Sequence, residues 1–334
     1  MSLNRLMGRK IFFELDLSPI SDRDLIPPEI VIYLTSKCSY ADCGHCIIKE
    51  NFANNYLSLE MLKKIFVDMK ELEIPFVSFT GGEPFEYEDG LENAVALANE
   101  NDLFVNQIIT NAFFAKDKNG AMVRLKELRD AGFSAIKLKD KWIVPSLTIS
   151  MDKEHQKFIP LKNVKNLINA AKKVFGKFID ITVNYVLFEE NKEEVLKRNP
   201  WLKDVNIDFG NVCYEGRAKK LKNKRLVPIK NHLKDWDSPC NWMNTKWPTV
   251  PAIFPDGRIN FCCYFGLKLS LGNIKKNSLR EALSKINSDK LFLTLFKYGP
   301  VKLFYYNKCE IKEKYTYGKC GFCNILLKNL YSGK

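Results

Sequence analysis

The run Cys38-Ser39-Tyr40-Ala41-Asp42-Cys43-Gly44-His45-Cys46 constrains this 334-residue chain more than any other feature. It follows Ile30-Val31-Ile32-Tyr33-Leu34, an apolar stretch that reads as a buried strand. Three thiolates close together on a strand-end loop occupy three corners of a tetrahedral site and leave the fourth open. A structural zinc site is closed by four ligands, whereas a catalytic site keeps one position free. A [4Fe–4S] cluster with one uncovered iron fits this loop, because cysteine thiolates are the usual ligands of such clusters.

A second strand-like run, Phe76 to Thr80, ends in Gly81-Gly82-Glu83-Pro84. Two glycines at a strand end let the backbone approach a ligand closely, and the glutamate beside them can accept hydrogen bonds from an ammonium group. On its own this turn is an ordinary strand-to-helix link. Together with the cysteine triplet it resembles the radical S-adenosylmethionine (SAM) superfamily. In that family the amino and carboxylate groups of the cofactor's methionine moiety chelate the open iron, and the glycine motif meets the amino group. The spacing C-x₄-C-x₂-C is one residue longer than the common family pattern, which leaves the conformation around Ala41 and Asp42 open.

The resemblance extends along the chain. Val105 to Thr110 leads into Asn111, where the family places a polar residue facing the cofactor ribose. Leu147 to Ser150 leads into Met151-Asp152, similar to the family's Ser-x-Asp ribose-side strand end. Ile181 to Leu187 resembles the fifth strand and Val205 to Phe209 the sixth. His45 stands where the family sets an aromatic residue against the adenine; the alternative is a loop histidine with no ligand. Glu154 and His155 follow the fourth strand, either near substrate or on a surface loop.

Strand-like and amphipathic helical runs alternate from residue 30 to about 215. Ser58 caps a predicted helix through Leu72, with Leu59, Leu62, Ile65, Phe66, Met69 and Leu72 on one face. Further helices are predicted over Leu91 to Asn99, Met122 to Ala131, Leu161 to Val174 and Lys192 to Leu202. Alternating units of this kind build a parallel sheet, and the resemblance makes it an α/β partial (β/α)6 barrel. Active sites in such sheets lie at the C-terminal ends of the strands, where each motif above falls.

The expected organisation is an N-terminal extension (1–29) too short for a separate leader-binding domain, the barrel (30–215), and a smaller cysteine-rich α+β domain (216–334). Gly216-Arg217-Ala218 resembles the motif that closes the core in family members with such a second domain. Six cysteines follow: Cys240, Cys262, Cys263, Cys309, Cys320 and Cys323. Pro255-Asp256-Gly257 is turn chemistry for a hairpin ahead of Cys262. Leu271-Gly272-Asn273-Ile274, a helix over Leu279 to Ile286 and the terminal C-x₂-C complete a likeness to the SPASM and twitch extensions, which hold auxiliary iron–sulfur clusters. The cysteine count is short of a full SPASM set and suits one auxiliary [4Fe–4S] cluster on Cys240, Cys262, Cys320 and Cys323. Cys263 and Cys309 are reserves or buried small residues. Taken alone, the C-x₂-C also suits structural zinc.

Cys213 lies just beyond the sixth strand. A thiol there can return a hydrogen to a substrate radical, as in some peptide epimerases of the superfamily, or simply pack before the domain junction.

The N-terminal run lacks a signal-peptide core and no stretch reaches membrane-spanning length, so a cytoplasmic protein is expected. Ten cysteines without a secretory signal point to thiolate ligation, not disulfides. The net charge of +13 raises a nucleic-acid reading, but lysines outnumber arginines about fourfold and are scattered. Arginine is the commoner residue for bidentate phosphate or base contact. The densest stretch, Arg217 to Lys234, is either a solvated linker or a surface for an acidic peptide leader.

The resemblance implies one-electron reduction of SAM from the cluster on Cys38, Cys43 and Cys46, with a flavodoxin or ferredoxin as electron donor. The 5′-deoxyadenosyl radical then takes hydrogen from the substrate. The leading expectation is modification of a ribosomally made peptide by crosslinking, oxidation or epimerisation. The alternatives are a small-molecule dehydrogenase acting on a sugar or aminocyclitol, and a zinc-stabilised nucleic-acid-binding or scaffold protein.

Overall fold

The computed structural model describes residues 15–40, 42–48, 55–187, 190–211, 216–220, 226–240, 247–263 and 269–332. The chain divides into two compact units, one made of Glu29–Asn223 and Ile253–Gly257 and the other of the remainder.

The first unit is built on a parallel sheet. Its strands are β1 (Glu29–Tyr33), β2 (Phe76–Thr80), β3 (Phe104–Thr110), β6 (Ser146–Ser150), β7 (Asp180–Leu187) and β8 (Asn206–Asn211), in that spatial order. The short strands β4 (Ile136–Leu138) and β5 (Lys141–Ile143) form a separate antiparallel hairpin. Register places apolar residues side by side: Ile30 beside Val77, Ile32 beside Phe79, Leu147 beside Ile181 and Ile149 beside Val183. Such β-branched and aromatic residues fit a pleated surface covered on both faces. Each fully buried side chain of this kind contributes about 1.5–3 kcal/mol.

The helices follow the sequence with instructive exceptions. Ser58 caps Leu59–Glu71 by accepting from the Met61 N–H (3.3 Å), and Leu62, Ile65, Phe66 and Met69 are buried. Leu91–Glu100 and Leu161–Phe175 match their expected spans closely. The third helix starts earlier than expected, at Lys118, because Asp117 caps it through the Gly120 N–H. The fifth is shorter: Lys192–Arg198 ends before Pro200, which opens a 3₁₀ turn over Pro200–Asp204. Proline lacks the N–H to continue the ladder and restricts Asn199 before it.

Because the sheet is parallel, the carboxyl ends of its strands lie along one edge. The Cys38 loop leaves β1 there, Gly81 leaves β2, Asn111 leaves β3 and Asp152 leaves β6. Gly216–Lys220 also belongs to this unit.

The second unit packs helices over a short hairpin in which Arg258–Asn260 pairs with Ser270–Asn273. Ser278 and Glu281 form a capping box at the start of Leu279–Ser288. The helical span Lys290–Tyr306 is interrupted at Gly299, whose φ is +80°, with Pro300 next to it. Its core includes Trp247 against Phe296 (ring centroids 5.0 Å apart) and Phe304 against Phe322 (5.7 Å). The last helix is Lys319–Ser332. Among the described residues no helix is long and apolar enough to cross a membrane.

Candidate active site

The cysteine loop is tied to the strand ends through its backbone. The Leu34 N–H donates to the Thr80 carbonyl (2.9 Å), Gly82 to Thr35 (2.6 Å) and Glu83 to Lys37 (2.8 Å), so the glycine turn runs beside the entry to the loop. The approach admits only glycine: a Cβ on Gly81, whose φ is +151°, would stand 2.5 Å from the Thr35 oxygen, and one on Gly82 would collide with the Lys37 carbonyl. Farther along the loop, the Ser39 N–H donates to Glu86 (2.7 Å) and the Arg217 N–H to the Cys46 carbonyl (3.1 Å). The Arg217 guanidinium also pairs with Asp42, which belongs to the lengthened cysteine spacing. Ala41 lies outside the described residues.

The structure brings Cys38, Cys43 and Cys46 together. Burial pushes the Cys38 thiol up to about 12, and the nearby Glu83, Cys46 and Cys43 add to the shift. A buried thiol crowded by acidic neighbours is costly to ionise in the free protein, and a bound cation removes that cost because a coordinating thiol is deprotonated outright. Cys43 is buried with Ile159, and Cys38, Cys46 and Phe113 pack around them. This donor set, facing a glycine-only backbone approach, fits a cluster with one uncovered iron.

Glu83 is fully buried and does not present a free carboxylate. It accepts from Thr110 Oγ1 (2.7 Å), the Asn111 N–H (2.8 Å) and the Phe85 N–H (3.2 Å), which joins the end of β2 to the end of β3. Burial raises its carboxyl to about 7, against the lowering effect of these bonds. Pro84 is buried and starts a 3₁₀ turn through Glu86. The Asn111 amide donates to Cys38 Sγ (3.6 Å), and Asn111 Oδ1 accepts from the Phe113 N–H (2.9 Å).

At the end of β6, Ser150 is half-buried and Asp152 fully buried. The Asp152 carboxylate caps Lys153–Gln156, accepting from the N–H groups of Glu154 (2.9 Å) and His155 (3.0 Å). It also lies 2.8 Å from His155 Nδ1 and 3.7 Å from His45 Nε2. Burial pulls both imidazoles down. His45 stays lowered, whereas Asp152 and Cys43 carry His155 up to about 10. Glu154 and His155 turn toward the cysteine loop, a placement that spacing alone did not reveal.

In the second unit, Cys240, Cys262, Cys320 and Cys323 are brought together. Burial raises Cys240, followed by Cys262. It raises Cys320 to about 12, followed by Cys262 and Cys240, and it raises Cys323 with Cys240, Cys320 and Cys262 adding to the effect. Cys320 and Cys323 stand three residues apart on one helix, which puts them on one face. The chain before Cys240 is held by Lys319 Nζ, which donates to the carbonyls of Ser238 (2.7 Å) and Pro239 (3.1 Å). Cys263 hydrogen-bonds Cys262, and burial alone raises Cys309 to about 11. Cys213 lies outside the described residues.

A family model described as the radical SAM superfamily matches residues 32–198. Among curated proteins, a peptide biosynthesis protein of Bacillus subtilis, YydG, is 23% identical over 278 residues, 81% of each chain. The PqqA peptide cyclase of Bradyrhizobium diazoefficiens is 23% identical over 208 residues, covering 60% of this chain and 50% of its own. Among solved structures, anSMEcpe with bound AdoMet and Kp18Cys peptide superposes with a TM-score of 0.55 at 15% identity, over 91% of this chain and 97% of its own.

Proposed function

The chain belongs to the radical SAM superfamily and is an enzyme, and on that premise we propose that it modifies a ribosomally made peptide. The observation that carries the substrate class is the relative named for peptide biosynthesis, which matches four-fifths of both chains. The basic surface, with a net charge of +13, suits a peptide with an acidic leader.

In this reading Cys38, Cys43 and Cys46 hold a [4Fe–4S] cluster, and SAM takes its open iron. When bound, the pair supplies a 5′-deoxyadenosyl radical for hydrogen abstraction. Gly81 and Gly82 offer backbone groups to the methionine end, and Glu83 and Pro84 fix that turn. Asn111 and Ser150 flank the ribose, and Asp152 contributes through the histidines it orients. His45 stands toward the adenine.

Cys240, Cys262, Cys320 and Cys323 hold one auxiliary [4Fe–4S] cluster. Four thiolates leave no iron open, so this cluster moves electrons and does not bind substrate. Electrons reach the protein from a flavodoxin or ferredoxin. Cys213 is assigned as hydrogen donor, which applies if the outcome is epimerisation.

The test is anaerobic incubation of the reconstituted enzyme with SAM, dithionite and the peptide encoded by a short reading frame beside its gene. Loss of hydrogen from the peptide supports the reading, as does uptake of a solvent deuterium when the reaction is run in heavy water, with no mass change in ordinary water. An unmodified peptide alongside oxidation of a sugar or aminocyclitol overturns it in favour of the small-molecule alternative.

A further inference from the structure

Ahead of β6 the chain runs Ile136-Lys137-Leu138-Lys139-Asp140-Lys141-Trp142-Ile143 and folds into the β4–β5 hairpin. Ile136 stands opposite Ile143 and Leu138 opposite Lys141, while Lys137 stands opposite Trp142. Opposed residues share a face and successive residues alternate, so one face carries Ile136, Leu138 and Ile143 with Lys141 beside them. The other face carries Trp142 and Lys137. Trp142 leans on Phe178, with ring centroids 4.8 Å apart, and Lys177 Nζ lies 5.5 Å from the Phe178 centroid.

The hairpin leaves its apolar side chains open to water. Ile136 is 43% exposed, Leu138 59% and Trp142 52%, and the lysines between them are exposed as well. Single apolar residues on a surface are ordinary, whereas three within one small hairpin make a patch. At the tip, Lys139 has a φ of +53°, a left-handed backbone that favours glycine or asparagine. A turn that only joins two strands has no need of a lysine there.

The chemistry of the patch indicates what it meets. The cores of protein interfaces are depleted in lysine and enriched in arginine. Here Lys137, Lys139 and Lys141 stand with no arginine and a single acid, Asp140. A lysine ammonium is a point charge on a long apolar stem, which suits a diffuse layer of anionic headgroups. Tryptophan settles at the same depth, its ring in apolar surroundings and its N–H in water. Placement agrees. The hairpin enters the amino end of β6, where the Asp180 N–H donates to the Pro145 carbonyl (2.9 Å). The cysteine loop and the glycine turn stand at the carboxyl ends of the strands, so docking through the hairpin leaves that edge open.

We propose that the β4–β5 hairpin docks the enzyme on an anionic lipid surface without spanning it. Ile136 and Leu138 enter the headgroup layer, and Lys137, Lys139 and Lys141 meet lipid phosphates. One small hairpin gives weak, reversible binding that salt screens.

The experiment is co-sedimentation of the reconstituted enzyme with vesicles of phosphatidylglycerol and phosphatidylcholine, against vesicles of phosphatidylcholine alone. Wild type binds the anionic vesicles, and added salt releases it. The double variant Lys139→Glu/Lys141→Glu partitions at least about 25-fold less, at about fivefold for each lysine lost. Leu138→Ser leaves the charge intact and partitions about tenfold less. Lys63→Glu/Lys64→Glu makes the same charge change on the exposed side of Leu59–Glu71 and stays close to wild type. Iron content and 5′-deoxyadenosine formation are unchanged in all three variants, which shows that each has folded. No binding to anionic vesicles, equal losses in the two double variants, or full binding by Leu138→Ser overturns the inference. Binding of the peptide encoded beside the gene, lost in Lys139→Glu/Lys141→Glu and without vesicle binding by wild type, overturns it in favour of a leader-peptide site.

Discussion

Gly216 lies against the backbone of Cys46: a Cβ at this position would stand 2.5 Å from the Cys46 oxygen, and the Gly216 φ is +54°. The next residue, Arg217, donates its N–H to the same carbonyl at 3.1 Å. Gly216 and Arg217 thus lie directly against the last cysteine of the triplet. This gives a physical reason for a glycine in the Gly216-Arg217-Ala218 motif.

Gly216→Ala has both a left-handed backbone and a collision to accommodate, with the Ile47 Cα also only 2.8 Å away. A loss of about 1–3 kcal/mol in the denaturant-derived stability is expected, together with less iron after reconstitution. Wild-type stability and iron content would contradict this close approach.

Arg217→Ala is expected to do far less. The pair with Asp42 is partly exposed, at 26% and 54% of the two side chains. Exposed pairs contribute about 0.2–1 kcal/mol. A denaturation midpoint within that margin of wild type is the expected result, and a larger loss would show that the pair has a structural weight its exposure does not indicate.

The buried Glu83 carries a pH signature. Its folded value of about 7 lies above the unfolded 4.5, so the folded state holds the proton more tightly. Stability is therefore highest below the unfolded value and falls as pH rises toward the folded one. Between about pH 4 and about pH 8, the metal-free wild type should lose about 3 kcal/mol relative to Glu83→Gln, whose side chain does not ionise. Denaturant titrations across that range check it, and parallel pH profiles for the two proteins would contradict it.

Iron analysis separates the C-terminal cysteines. Cys323→Ala should reduce the reconstituted protein from about eight irons to about four, whereas Cys309→Ala should leave about eight. The distinction follows from placement: Cys323 is raised by burial and further by three neighbouring thiols, Cys309 by burial alone. Equal iron loss in both variants would show that the auxiliary ligand set is misassigned.

Features written in local chemistry were legible beforehand. Ser58 ahead of an amphipathic run, the apolar strand cores and the glycine turn at Gly81-Gly82 each follow from residues close in sequence. What was not legible depends on the third dimension. Glu83 looked like a free acceptor, but Thr110 and Asn111 take up its carboxylate from the neighbouring strand. Glu154 follows β6 with no sign in the sequence that its carboxylate accepts the Gly44 N–H, more than a hundred residues earlier. The β4–β5 hairpin has no sequence signature because its strands are three residues each and carry exposed lysines, a pattern without period-two contrast. Among the C-terminal cysteines, spacing left six candidates, and only the tertiary arrangement brings four of them together with Cys263 beside Cys262.

The proposed function stands on Cys38, Cys43 and Cys46 holding the cluster that reduces SAM. The most direct measurement is formation of 5′-deoxyadenosine by the reconstituted, dithionite-reduced protein, compared with the variant in which all three cysteines are alanine. Steady production by wild type is expected, with none by the variant and retention of the variant's auxiliary-cluster spectrum. Continued 5′-deoxyadenosine production by the variant would contradict it.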